Sequence, residues 1–511
     1  MSTDAKEQPG VARLKAPMLF GGVTVGLFTL LTFGRLVSSE MFLDGVTYAA
    51  IARNLASGRG GFWAPEYIGG RGAFHLHPAL GLWLESLAFR VFGDHPSVER
   101  LWGIGCGAAV LWLVVRLYRQ TKVAGAAEGP ATWPALLLLA MPLASWCWVN
   151  NMLENLLTVF VLGAASLSLC AVTKEGWRLA VMATLAGVVA ALGLWTKGPP
   201  ALFVLAVPFA APVILGRSAS RRSNAAGAFM VLGLGVATTA MLVQGGNQAS
   251  SFIAEYFEHQ FRPSMQGKLE TAARWQLMLV LARELFLPAL AVVVLRQSGK
   301  AGAADESSSG APQAWRRPAF FAVCGAAGWA PFLLFQKQMD WYLAPALPFF
   351  ALALASLSER SAIAIARALE ERRGLRQAAA VAAVLCALVG LAGASRFAGR
   401  LDVAIPIAIH DATVARTEFR DSDHAWRDFR RDVLDAGLVI PMGSRVLGAQ
   451  EGDHWRLVAY LQRYYGASLV TEPPWGFAVV QLDPRCKFAV PPGCIQQNPR
   501  ARRFALYSCP P

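Results

Sequence analysis

The feature that most constrains this chain is the spacing of its charges. They fall in clusters, and between the clusters run charge-poor apolar stretches roughly 17–22 residues long. An α-helix of that length crosses a hydrocarbon core about 30 Å thick. Lipid offers no partners for backbone N–H and C=O groups, and a helix satisfies its own. No water-soluble fold buries so many such runs. Only 16% of the 511 residues are charged and 55% are hydrophobic, whereas a soluble domain carries about 25% charged residues.

About eleven spans are predicted, near 16–36, 99–118, 131–149, 153–172, 179–195, 199–215, 225–244, 275–295, 318–336, 342–358 and 377–395. The basic start of the first resembles a signal peptide, but its apolar run is too long for a usual h-region, so a retained span is expected. The net charge of +14 does not point to nucleic acid, because the charges sit at the ends of apolar runs. Lys6, Arg13 and Lys15 precede the first span. Arg116, Arg119 and Lys122 follow the second, and Lys174 and Arg178 the fourth. Arg217, Arg221 and Arg222 follow the sixth. Arg296, Lys300, Arg316 and Arg317 follow the eighth, and Arg360, Arg367, Arg372, Arg373 and Arg376 the tenth. By the positive-inside rule these exits and the N-terminus are cytoplasmic. The odd-numbered exits are then extracytoplasmic.

Three segments on that outer side are long: 37–98, 245–274 and 396–511. The expected organisation is a transmembrane domain over 1–395 and a small extracytoplasmic α/β domain over 396–511. The loop 297–317 is rich in Gly, Ala and Ser and reads as a flexible linker. Cys106, Cys147, Cys170, Cys324 and Cys386 lie in spans and pack as small apolar groups. Cys486, Cys494 and Cys509 lie in the outer tail, where one disulfide is expected, with one thiol left over.

The first outer loop is the richest in candidate chemistry. Tyr48, Ile51, Ala52 and Leu55 recur at helical spacing, as on a helix lying flat in the interface. Asp44 stands at its start, as an N-cap and as an ionised carboxylate able to accept a proton or bind a cation. His75 and His77, at i and i+2, either share a metal from one face of a strand or bond to backbone and headgroups. Glu154, after Asn150 and Asn151, opens the fourth span on the same side as Asp44, where an ionisable residue is costly and usually functional. Lys197 and Lys337 run against the positive-inside trend. Either they neutralise a phosphate as point charges or they snorkel to the headgroups. Phe252, Tyr256, Phe257 and Phe261 form an aromatic stripe that anchors in the membrane or flanks a lipid's entry.

The segments DGVTYAAIARNLASG, FHLHPALGLWLESLAFRVFG, NNMLENLLTVF, WTKGPP and KQMDWYLAPALP occur in this order. Together they resemble the GT-C glycosyltransferases, in the bacterial branch of dolichyl-phosphate-mannose–protein mannosyltransferase-like enzymes and lipid A aminoarabinose transferases. The likeness covers about residues 15–360 and leaves the tail out. It implies an all-α polytopic enzyme of a bacterial plasma membrane. Such an enzyme moves a hexose or pentose from a polyprenyl-phosphate carrier to a hydroxyl or phosphate of a glycan, lipid (lipopolysaccharide included) or protein on the extracytoplasmic face. It further implies catalytic roles for Asp44 and Glu154 and carrier-phosphate contacts from Lys197 and Lys337; Tyr48, His77 and Tyr342, in or beside the same segments, are further candidate substrate contacts. Two positions depart from the family: Thr47 where some members carry Arg, and Leu76-His77 where many carry Glu-Lys. Without that Glu, either His75, His77 and Glu154 hold a divalent cation or the reaction needs none. A transporter or lipid flippase would share the hydropathy, but such proteins tend to show internal repeats and midplane sites. No repeat is found here.

Overall fold

The structure is a computed structural model that describes residues 15–37, 41–67, 73–122, 129–266, 275–300, 315–335 and 337–393. Of the C-terminal part it describes 429–434, 437–438, 440, 445–448, 454–470, 476–481, 490 and 492–509. Most of the linker 297–317, the tail 396–428 and Cys486 lie outside the described residues. The fold is an all-α polytopic membrane architecture with a small C-terminal sheet.

The helices in chain order begin with α1 (Ala16–Thr32), α2 (Leu43–Ala56), α3 (Leu80–Phe92) and α4 (Ser97–Gln120). They continue with α5 (Trp133–Leu139), α6 (Pro142–Val149), α7 (Leu153–Val172) and α8 (Gly176–Lys197). Among the described residues eight helices are long and apolar enough to cross a membrane. The count is nine if Leu347–Leu357 and Glu359–Glu371, bent by 69°, are taken as one. The exact count of eleven is not reproduced, for a physical reason. The run 131–149 is split at Ala140–Met141, just before Pro142, into α5 and α6. The run 199–215 is a 3-10 turn, Pro199–Leu205, followed by two short helices, with Pro208 and Pro212 inside it. Proline removes a donor and clashes with the preceding turn. The seventh run does not stop at 244: its helix continues from Ser220 to Tyr256 across a non-helical residue, Gly246 (φ 52°, ψ −128°).

The basic exits meet at one end of the bundle. There Arg317 Nη1 lies 3.0 Å from Glu359 Oε2 and its Nε donates to Thr121 Oγ1, while Trp133 Nε1 donates to Ser358 Oγ. At the opposite end α2 is not spread on a surface: Tyr48, Ile51, Ala52 and Leu55 are all buried. It is clasped between α3 and the C-terminal part.

That C-terminal part carries a five-stranded mixed sheet. Its strands, in chain order, are β1 (Arg445–Gly448), β2 (Ser468–Val470), β3 (Phe477–Gln481), β4 (Ile495–Gln496) and β5 (Phe504–Ser508). Parallel β1 and β2 are joined through the helix His454–Tyr465; β3 runs parallel to β1, and β5 pairs antiparallel with β3 and β4. Cys494 and Cys509 form the disulfide that fastens β4 to the end of β5. Tyr460 in the helix accepts from Met41 N (3.1 Å) and donates to Met41 O (2.6 Å). Arg463 reaches across to α4, with Nε and Nη2 at 3.1 and 2.9 Å from the two carboxylate oxygens of fully buried Glu99. A paired guanidinium of this kind is the form in which Arg tolerates burial.

Candidate active site

The site lies at the end of the bundle opposite the basic exits, and it is assembled from helix termini. Asp44 is the second residue of α2. Phe42, not Asp44, occupies the N-cap position, so Asp44 sits in the first turn, where the positive end of the helix favours an anion. Glu154 holds the same position in α7. Lys197 is the last residue of α8, at the negative end. Gly198 (φ 86°) then reverses the chain into Pro199-Pro200, which stops the helix there. A single-residue shift of any of these stops would rotate the functional side chain off the site.

Contacts run in series through these termini. Tyr48, one turn after Asp44, has its hydroxyl 3.5 Å from Asp44 Oδ2. Lys197 Nζ donates to the same hydroxyl at 3.2 Å and lies 3.1 Å from Glu154 Oε1. His77 Nε2 stands 3.5 Å from Lys197 Nζ. Glu154 and Lys197 are almost wholly buried, and Glu154 Oε2 has no protein partner among the described residues. Lys197 therefore does not snorkel to the surface; a buried carboxylate holds it.

Burial holds the His77 imidazole well below its ordinary range, and the Lys197 and Lys337 ammonium groups push the same way, so the ring is neutral at neutral pH. Its Nε2 then accepts from Lys197. Burial first, then the Asp44 and Glu154 carboxylates, raises the Tyr48 phenol; burial, Glu154 and Asp44 raise that of Tyr342. Both phenols stay protonated, and that of Tyr48 donates to Asp44.

Several of these groups line a cavity of about 410 Å³. His77, Glu154, Lys197, Lys337 and Tyr342 are its polar lining, and Phe203, Phe261, Phe332 and Phe335, with several prolines, its apolar wall; Tyr342 stacks on Phe332. The wall accounts for two irregular stretches. Irregular backbone at membrane depth is tolerated where it lines a cavity within protein, and the 199–205 and 330–345 stretches do so here.

The expected residues thus fall into two sets. Glu154, Lys197, His77, Lys337 and Tyr342 line the cavity, and Asp44 and Tyr48 connect to it through Lys197. His75 turns away: its Nδ1 contacts Glu255, and its Nε2 lies 3.1 Å from Trp63 O. No strand brings His75 and His77 onto one face. Among the described residues no group of three or more His, Cys, Asp or Glu side chains converges as a metal site. The Lys197 ammonium already occupies the position between His77 and Glu154. The set His75, His77 and Glu154 does not fit a divalent cation, and no step is routed through one.

One cavity residue, Gln260, is not among the sequence candidates, and it joins two that are. Tyr256, Gln260 and Phe261 come from the end of the long helix and the π turn Phe257–Phe261. Of the stripe read as a membrane anchor or as flanking a lipid's entry, Tyr256 and Phe261 line the cavity and Phe257 is exposed. Phe252, in the same stripe, packs on Trp63 and on the His75 ring.

Residues 76–243 match the sequence model of the family described as dolichyl-phosphate-mannose-protein mannosyltransferase. Among solved structures, the chain is similar to ArnT from Cupriavidus metallidurans bound to undecaprenyl phosphate. Identity is 15%, covering 97% of this chain and 99% of that one, with a TM-score of 0.60. The same ArnT in the apo state matches at 13% identity, covering 97% and 98%, with a TM-score of 0.58. A search of curated proteins finds no match. The likeness to the GT-C glycosyltransferases carried by the five segments is therefore met by both the family match and the whole-chain fold.

Proposed function

We propose that this chain of GT-C fold is a membrane glycosyltransferase that takes a sugar from a polyprenyl-phosphate carrier and transfers it to a hydroxyl or phosphate acceptor at the extracytoplasmic face. The observation that carries the reading is the mixed lining of the cavity: two ammonium groups, a neutral imidazole, a phenol and the Glu154 carboxylate, together with phenylalanine and proline. Such a lining suits an isoprenoid phosphate. The similar ArnT structure holds undecaprenyl phosphate. An apolar carrier tail in such a wall avoids exposing methylenes to water, at about 0.8 kcal/mol each.

The carrier phosphate sits between Lys197, Lys337 and His77, with Tyr342 donating. The acceptor hydroxyl approaches from the Asp44 side. Its oxygen forms a bond to the anomeric carbon while the bond from that carbon to the phosphate oxygen breaks, with inversion. The electron pair leaves with the lipid phosphate and the hydroxyl proton goes to Asp44. The leaving group is already a good one, so the protein supplies positioning and charge stabilisation rather than acid catalysis. Glu154 holds Lys197 in place and orients the acceptor. By the positive-inside rule the basic exits are cytoplasmic, and the site at the opposite end, with the C-terminal part that packs on α2 and α4, is then extracytoplasmic.

Broken helices also occur in transporters, whose polar sites lie at the membrane midplane. Here Glu154 and Lys197 stand at the ends of spanning helices, and Asp44 in the first turn of α2 beside them, which supports a site at a membrane surface. In proteoliposomes given a polyprenyl-phosphate-linked radiolabelled sugar and a hydroxyl acceptor, the wild type is expected to transfer label. Asp44→Asn should insert and fold normally and lose transfer. Near-normal turnover in that variant removes Asp44 from the mechanism, and lipid or solute movement without transfer replaces the reading with a transporter.

A further inference from the structure

The two carboxylates of the site are joined by a bracket that the mechanism has not used. It is the three-residue link Asn150–Asn151–Met152 between α6 and α7. Asn151 has φ 53°, the one non-glycine residue with positive φ among the described residues. Asparagine tolerates that region better than most side chains. Both asparagines are buried, and each makes one amide contact to the backbone beside Asp44. Asn150 Oδ1 accepts from Phe42 N at 2.8 Å, taking up an N-terminal donor of α2 that has no partner within the helix. Its Nδ2 donates to Trp146 O at 3.0 Å. Asn151 Nδ2 donates to Gly45 O (3.3 Å) and to Glu85 Oε1 (2.8 Å).

Asp44 is thereby held from both sides, at Phe42 N and at Gly45 O. The approach is close enough that a Cβ on residue 45 would stand 1.8 Å from Asn150 O, which glycine alone permits. Three residues after Asn151 the same strand of chain delivers Glu154. The link therefore sets the separation of the carboxylates from both ends. Glu85, on α3, is 1% exposed. Burial foremost, with Glu99 adding, raises its carboxyl well above the ordinary range, so it rests as the neutral acid and Oε1 serves as an acceptor.

We propose that Asn151, oriented by Glu85, is a positioning residue that fixes the Asp44 carboxylate relative to Glu154 for the transfer step. This rests on the glycosyltransferase reading above. Misplacement of about 1 Å at a reacting group can cost about 10²-fold in rate. The bracket touches neither the cavity wall nor the carrier phosphate, so its loss should fall on kcat and leave donor binding alone.

The test uses the full chain in proteoliposomes with a polyprenyl-phosphate sugar donor. Asn151→Gly keeps the backbone free to adopt the positive φ and deletes the amide. Its kcat should drop roughly 10- to 100-fold, with donor KM within about twofold. Glu85→Ala should reproduce that loss, and Glu85→Gln, neutral and of the same shape, should restore it. In the Asp44→Asn background, adding Asn151→Gly should cost no further residual rate, because there is no carboxylate left to place. Either single variant turning over normally, even with reduced thermal stability, overturns the positioning role and leaves a structural one. Additive losses in the double variant do the same, as does Glu85→Gln failing like Glu85→Ala. If Asp44→Asn itself turns over normally, the transferase reading fails instead. Should Asn151→Gly not fold, the Glu85 pair and its Asp44→Asn double variant decide.

Discussion

Replacing Lys197 by methionine tests whether the buried ammonium serves the phosphate or merely its carboxylate partner. In the structure its Nζ lies 3.1 Å from Glu154 Oε1, and the two side chains are 6% and 1% exposed. Removing one partner of a buried pair leaves an uncompensated charge and costs about 3–5 kcal/mol. The lost Lys197–Tyr48 hydrogen bond adds to this, and proton uptake by Glu154 limits it. The double variant Lys197→Met with Glu154→Gln leaves no buried charge. Replacing a whole buried pair by neutral groups is often neutral in stability, so most of the loss should return. Transfer should not return. A preorganised group facing developing negative charge contributes about 10²–10³-fold, and the double variant still lacks it. The assay is thermal unfolding in detergent beside turnover in proteoliposomes, for wild type, both single variants and the double. A single variant as stable and as active as wild type would refute the buried pair. A double variant with restored turnover would show that Lys197 acts only by neutralising Glu154.

Two further expectations concern pH and the C-terminal part. The depressed His77 ring stays neutral in the folded protein, whereas in the unfolded chain it takes up a proton as pH falls below about 6.5. The unfolded state then binds more protons, so stability declines on the acid side. His77→Gln should make the melting temperature less pH-dependent between about pH 5 and 7, and unchanged slopes would contradict the burial. Arg463→Met leaves Glu99, which is fully buried, without its bidentate partner. A loss of about 3–5 kcal/mol is expected, seen as faster protease cleavage within residues 429–509. Undiminished protection would mean that the ion pair does not hold the C-terminal part to α4.

Hydropathy is a property of consecutive residues, so the membrane class and most of the spans could be read from the chain alone. The basic clusters could likewise be counted, and they do gather at one end of the bundle. The helix starts at Asp44 and Glu154 were legible for the same local reason, as was a disulfide in the tail. Prolines at 142, 208 and 212 were visible too, but whether a proline kinks a span or breaks it depends on what surrounds the freed backbone. Only packing reveals that Pro199 and Pro200, just past the end of α8, line a cavity. Convergence is also non-local: Lys197 meets Tyr48 across 149 residues, and Arg463 meets Glu99 across 364. Glu85 is not among the sequence candidates, and Asn151 reads in the sequence only as one of the residues leading into the fourth span. Their joint hold on the backbone beside Asp44 exists only once α2, α3 and the α6–α7 link are pressed together. The linear order of residues set which segments enter the membrane, and the distances that make chemistry came from the way those segments close on one another.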